Sequence, residues 1–345
     1  MTERIRREYV EARRVLLDAL SALRPHLDAF VLVGAQAVYL QTIDRLPGYQ
    51  PFTTDADLMF DPAGLADEPL LGDAMTAGGF VFSGEPGIWH RHVARSGEED
   101  AVVSVDLIVP KQIAPRAGRR GARLPGQHGR TVAQKTAGVE GALVDHDPIE
   151  IGALDDADRR SAVINVAGPA ALLVAKAFKL GERLETPRRL LSKDAGDVFR
   201  LYEAKTVGEI IERLRRVADD ERSADVARQG IGHLRALFGT PRAPGIGLAV
   251  DALGAVGDPD AVAQPPRVGM PRCAATASAA ALLPASDGSV ADGWSSCSTR
   301  GAPLTSTDRL SFPGRVVGAR GPFAEITREG VGRQGSCPPD EMRRV

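Results

Sequence analysis

Thr54-Asp55-Ala56-Asp57-Leu58-Met59-Phe60 alternates acidic with apolar residues before ending on three apolar ones. In an extended chain successive side chains point to opposite faces, so Asp55 and Asp57 share one face while Ala56 and Leu58 share the other. The pattern predicts a strand with one face buried and one looking into a cleft. A second run, Val102-Val103-Ser104-Val105-Asp106-Leu107-Ile108-Val109, ends at Pro110 and also reads as a strand. It is apolar enough that an unpaired charge at Asp106 would be costly. Two carboxylates on one face and a third from a neighbouring strand form an all-oxygen donor set, which suits hard divalent cations such as Mg2+ or Mn2+. A pair of such ions about 4 Å apart can assist an attacking hydroxyl and a leaving phosphate oxygen. Asp55, Asp57 and Asp106 are therefore the candidate metal ligands and catalytic residues.

Upstream, Phe30-Val31-Leu32-Val33-Gly34 is a short apolar run ending in glycine, and Ala35-Gln36-Ala37-Val38-Tyr39-Leu40 regains helical spacing. A strand turning through Gly34 into a helix exposes backbone N–H groups where a triphosphate can bind. An amphipathic helix from Ile5 to Leu27, stopped near Pro25, precedes it. A loop over 44–53 separates the two runs, and a helix from about Pro69 to Ala77 and a short strand over Phe80-Val81-Phe82 follow. Residues 111–130, rich in Gly, Pro and Arg, read as a loop. Beyond it the character turns helical. Gly168-Pro169 opens a helix through Leu180, and further helical segments cover Ser192 to Tyr202, Val207 to Val217 and Ala224 to Leu237. Lys176, Lys179 and Arg183 fall at i, i+3 and i+7, so one helix face can present a cationic surface to phosphates. Trp89-His90-Arg91-His92 reads as decoration of a strand edge.

Composition divides the chain. Of the 89 residues from 257 to 345, 30 are Pro, Gly or Ser, and all three cysteines (Cys273, Cys297, Cys337) lie there. That enrichment marks low complexity rather than a packed domain. The expected organisation is α+β: an α/β domain over 1–155, a helical domain over 156–255 and a disordered tail over 256–345. Truncation after residue 259 is expected to leave the chemistry intact. With 43 basic and 45 acidic side chains, no global field draws the chain onto nucleic acid. No cysteine precedes position 273, which removes thiolate nucleophiles and Cys-based zinc sites from the core. The charged N-terminus and the lack of an apolar run approaching ~20 residues predict a soluble, cytoplasmic protein without membrane insertion.

Val31-Leu32-Val33-Gly34-Ala35, Thr54-Asp55-Ala56-Asp57-Leu58 and Val105-Asp106-Leu107 together resemble the nucleotidyltransferase fold of the DNA polymerase β superfamily. The series Gly141-Ala142-Leu143-Val144-Asp145-His146, Val166 to Lys176, Lys179, Arg183 and Lys193-Asp194-Ala195-Gly196-Asp197 narrows this. It resembles the AbiEii-like nucleotidyltransferases, the toxins of type IV toxin–antitoxin and abortive-infection systems. The resemblance covers roughly residues 25 to 205. It implies Mg-dependent transfer of a nucleotide from NTP to an acceptor, with RNA, such as a tRNA 3′ end, as the expected acceptor and a cognate antitoxin as a partner. Asp55 and Asp57 match the metal-binding pair, Asp106 the carboxylate that orients or deprotonates the acceptor hydroxyl, and Lys176 the triphosphate-contacting lysine. Gly34, Ala35, Thr54, Lys179, Arg183 and Asp194 fall with the nucleotide-binding elements. Asp194 and Asp197 match the family's Lys-Asp-x-x-Asp element, where pairing with Lys176 or Arg183 is the alternative to direct chemistry. Where the family has Gly-Ser or Gly-Gly this chain has Gly34-Ala35, leaving only backbone donors for the phosphates. Pro51-Phe52-Thr53 stands where an Arg or Lys commonly precedes the acidic motif. The other expectations to be weighed are transfer to an antibiotic-like small molecule or a protein hydroxyl, and an NTP-binding or antitoxin-binding module without turnover. An Arg-rich stretch (Arg116, Arg119, Arg120, Arg123, Arg130) beside the site would favour RNA, and an acidic pocket beside Asp106 would favour a cationic drug.

Overall fold

A computed structural model describes residues 6–42, 52–114, 120–184 and 192–254, all within one compact unit. The expected disordered tail lies outside the described residues, as do the three cysteines, Arg116 and Arg119. The fold is α+β, as the sequence predicts.

Helix α1 (Arg7–Ala22) leads through a 3-10 turn at Arg24–Ala29 into β1 (Phe30–Val33) and directly into α2 (Gly34–Gln41). Strand β2 (Asp55–Phe60), α3 (Leu71–Ala77), β3 (Val81–Phe82), β4 (Ile88–Val93), β5 (Ala101–Pro110) and β6 (Gln134–Thr136) follow. Strands β7 (His146–Gly152) and β8 (Ser161–Ala167) complete the sheet before α4 (Pro169–Leu184), α5 (Ser192–Ala204), α6 (Val207–Asp219), α7 (Ala224–Phe238) and α8 (Pro244–Gly254). The strand order is β3-β4-β5-β2-β1-β8-β7, with β6 pairing β5. The sheet is mixed: β1 is antiparallel to β2 but parallel to β8, and β2 is parallel to β5. Its last strand ends at Ala167, past residue 155, where the sequence places the change to helical character.

The period-2 alternation determines what the sheet buries. Ala56 and Leu58 on β2, Val103, Val105 and Leu107 on β5 and Trp89 on β4 are all buried. Helix α1 packs over β2 and β5, contributing Leu16 and Leu20 to the same core. Asp55, Asp57, Ser104 and Asp106, the alternate residues, stay partly exposed on the opposite face.

The segment Gly141 to His146 turns out to be a clamp on α4. The Gly168 amide donates to the Asp145 backbone oxygen at 2.7 Å, and the Ala171 amide donates to Asp145 Oδ2 at 2.9 Å. This satisfies two of the N–H groups that the first turn of a helix leaves without partners. Arg213 of α6 closes the clamp, donating to Asp145 Oδ1 at 2.8 Å. A Cβ at Gly168 would lie 2.3 Å from that oxygen, so the fit requires glycine.

Candidate active site

The turn from β1 into α2 is made by Gly34 at φ +73, a conformation that costs an L side chain about 1–2 kcal/mol. Space makes the same demand. A Cβ there would lie 1.9 Å from Asp57 Oδ2, because β1 pairs Val33 with Asp57 and so brings the turn against that carboxylate. No side chain caps the first turn of α2, and Ala35 at its start is buried.

Strand β2 pairs in parallel with β5, setting Asp57 opposite Asp106 and Asp55 opposite Ser104. Neighbouring strands run about 4.8 Å apart, so the three carboxylates cluster on one open face. Their charges repel. Burial, then the neighbouring Asp55, pushes the Asp57 pKa up to about 6, against the pull of Lys179, Lys176 and Lys193. Burial, then Asp57 and Asp55, pushes Asp106 to about 7, opposed by the Gln134 hydrogen bond and by Arg120.

Each outer carboxylate has a partner that the sequence reading did not name. The Thr53 hydroxyl donates to Asp55 Oδ1, and Gln134 Nε2 donates to Asp106 Oδ2 at 3.0 Å. Thr53 is fully buried, whereas the candidate Thr54 is exposed. Below the site, Gln36 Nε2 donates to the backbone oxygen of Asp55 at 3.0 Å, and Arg13 Nε holds the Gln36 oxygen at 2.9 Å.

The cationic face of α4 divides in two. Lys176 is 5% exposed, and its ammonium donates to Asp194 Oδ1 at 2.8 Å and Asp197 Oδ2 at 2.7 Å. Burial opposes that charge, but Asp197 and Asp194 outweigh it and raise the lysine pKa. Lys179, with a side chain 47% exposed, reaches Asp194 Oδ2 at only 3.4 Å, and Arg183 reaches the same oxygen at 3.1 Å. For Asp194, burial favours the neutral acid, yet Lys176, Lys179 and Arg183 together lower its pKa. Lys176 thus ties α4 to α5, while Lys179 keeps an ammonium at the surface.

Comparisons with known proteins add no name: no family model, no curated protein and no solved structure matches the chain.

The strand-edge segment is more than decoration. Trp89 is buried and donates to the Val132 carbonyl at 3.1 Å, and Arg91 donates to the Gly78 carbonyl at the end of α3. Among the described residues, no group of three or more His, Cys, Asp or Glu side chains is arranged ready to hold a metal ion. The donor set nevertheless fits a hard cation: it is three carboxylates, and in Asp57 and Asp106 burial first and the neighbouring carboxylates second disfavour the negative charge, a cost that a cation would relieve.

Proposed function

We propose that this chain is a divalent-cation-dependent nucleotidyltransferase acting on an RNA hydroxyl. The observation that carries the reading is the parallel register setting Asp57 beside Asp106, with Gly34 packed against the Asp57 carboxylate. Asp55, Asp57 and Asp106 would hold the cation, which when bound neutralises charge on the transferring phosphoryl group and on the departing oxygen.

The remaining roles belong to the chain itself. The α2 N-terminus, which its N-cap side chain leaves uncapped, offers backbone N–H groups to the triphosphate, and Lys179 and Arg183 add positive charge. Asp106 accepts the proton of the acceptor hydroxyl. The acceptor oxygen bonds to the α-phosphorus, the bond from that phosphorus to the bridging oxygen breaks, and pyrophosphate leaves. Gln134 keeps Asp106 oriented by donating to its other oxygen.

Arg120 is near enough to Asp106 to favour its charged form, and Arg120, Arg123 and Arg130 are exposed. The charge of Arg120 acting on Asp106, although Arg120 also pairs with Glu85, supports a polyanionic acceptor over a cationic drug. A role as a toxin restrained by an antitoxin protein rests on the AbiEii-like resemblance alone.

The test incubates the chain with each α-labelled NTP, Mg2+ and total tRNA, beside an Asp55→Ala/Asp57→Ala control. Label on RNA that disappears in the control is expected. Nucleotide binding without transfer to RNA, protein or small molecules would refute the reading.

A further inference from the structure

We propose that Phe52 is the stacking platform for the base of the bound nucleoside triphosphate, with Lys193 resting over its ring until the phosphates draw it away. The inference depends on the nucleotidyltransferase reading of the same site. Phe52 is among the large apolar side chains the fold leaves exposed, at 38%. An exposed aromatic ring is usually free to drift, but this one is held by its backbone. The Tyr39 hydroxyl donates to the Phe52 carbonyl at 2.8 Å, and the adjacent Thr53 is fully buried and bonded to Asp55. The ring is therefore anchored three residues from the first carboxylate, within about 10 Å along the chain.

Two cations lie against the ring. The Arg6 guanidinium carbon is 5.4 Å from the centroid and Lys193 Nζ is 5.8 Å from it. Lys193 also lies near enough to Asp57 for its charge to act on that carboxylate. A single ammonium thus joins the exposed aromatic face to the carboxylates where the α-phosphate reacts. A nucleotide has the matching layout, with a flat π-system at one end and a polyanion at the other. At an exposed site a cation over a phenyl ring is held weakly, while an ammonium–phosphate contact is charge-assisted and stronger. A triphosphate at the carboxylates therefore takes Lys193 from the ring, and the base covers the face it leaves. Because every base has a π-face, this contact gives affinity with little preference among the four nucleotides.

The full-length chain is titrated calorimetrically, in Mg2+, with ATP and separately with inorganic tripolyphosphate, which has no base. Phe52→Leu is expected to weaken ATP binding about tenfold and leave tripolyphosphate binding unchanged. Phe52→Trp should bind ATP as tightly as the parent, with indole fluorescence quenched by ATP and not by tripolyphosphate. Lys193→Gln should weaken both ligands. Equal ATP affinity in Phe52→Leu and the parent, or equal losses for the two ligands, overturns the proposal, as does a parent chain that binds no ATP. If Phe52→Leu melts early, the Phe52→Trp quenching decides, and its absence overturns the platform. The expected pattern in a chain that transfers nucleotide to no acceptor would sink the nucleotidyltransferase reading and leave the stacking platform standing.

Discussion

Replacing Gly34 with alanine adds one methyl group at the point where the turn meets the carboxylates. That Cβ would lie 1.9 Å from Asp57 Oδ2, 2.7 Å from its Cγ and 3.0 Å from its Cβ. Ordinary van der Waals contact begins near 3.4 Å, so the carboxylate must retreat by about 1.5 Å or the turn must open. Left-handed backbone costs alanine about 1–2 kcal/mol, and forcing a group into packed surroundings costs about 1–3 more. A loss of about 2–5 kcal/mol is expected, lowering Tm by roughly 4–20 °C for a fold of this size. Transfer should fall by about 10²-fold, the usual consequence of an ångström-scale displacement of a reacting group. The decisive assay is a double-mutant cycle in urea. With Asp57→Ala the clashing carboxylate is gone, so Gly34→Ala should cost about 1–2 kcal/mol less there than in the parent. Additivity within about 0.5 kcal/mol, or full transfer by Gly34→Ala, would refute the claim that position 34 is glycine because of Asp57.

Asp106 takes up its proton near pH 7 in the folded chain against 3.8 in its ordinary state. Between those values the fold binds more protons than the unfolded chain, so this group costs stability as pH rises through the window. Asp106→Asn should therefore melt higher than the parent above pH 7, by up to about 4 kcal/mol, with the advantage gone below about pH 4; parallel melting curves at pH 4 and pH 8 would count against it. Lys176→Met takes the ammonium from the buried Asp197 carboxylate and leaves Asp194 to Lys179 and Arg183, and should cost about 3–5 kcal/mol in urea unfolding. Lys179→Gln should leave unfolding unchanged and raise the KM for NTP severalfold, so a matching loss of stability would put Lys179 in the framework as well. Asp145→Ala removes the clamp on α4 and should cost about 1–3 kcal/mol, with faster amide exchange at Ala171 as the readout.

The elements that were legible in the sequence are those where a period coincides with a burial boundary. Strands β2 and β5 alternate over Asp55–Leu58 and Val103–Leu107, and the fold buries one side of each of these stretches under α1. Carried one step upstream, the same parity puts Thr53, rather than the Thr54 chosen from the sequence, on the side shared by Asp55 and Asp57. Strand β7 contains Pro148 and two acidic residues, Asp147 and Glu150, and Asn165 and the exposed Val163 interrupt the pattern of β8; β8 becomes sheet by pairing with β1, and β7 by pairing with β8. Helical spacing put Lys176, Lys179 and Arg183 on one face correctly. It could not say that α5 would cover the first and leave the second at the surface, since that depends on how two helices pack. Gln134 touches Asp106 from 28 residues away with no local pattern to announce it.

The division of the sheet into a covered and an open face also bears on how the chain finds its pairing. A one-residue slip of β2 against β1 and β5 would turn Asp55 and Asp57 toward α1 and send Ala56 and Leu58 into water. Two charges would then sit in an apolar layer, a misfolded state far costlier than the loss of a few contacts. The acidic residues thus guard the alignment of the central strands during folding. Neutralising both should leave a chain that folds with more alternative pairings, even though the Asp57 charge, disfavoured by burial, weakens the finished structure.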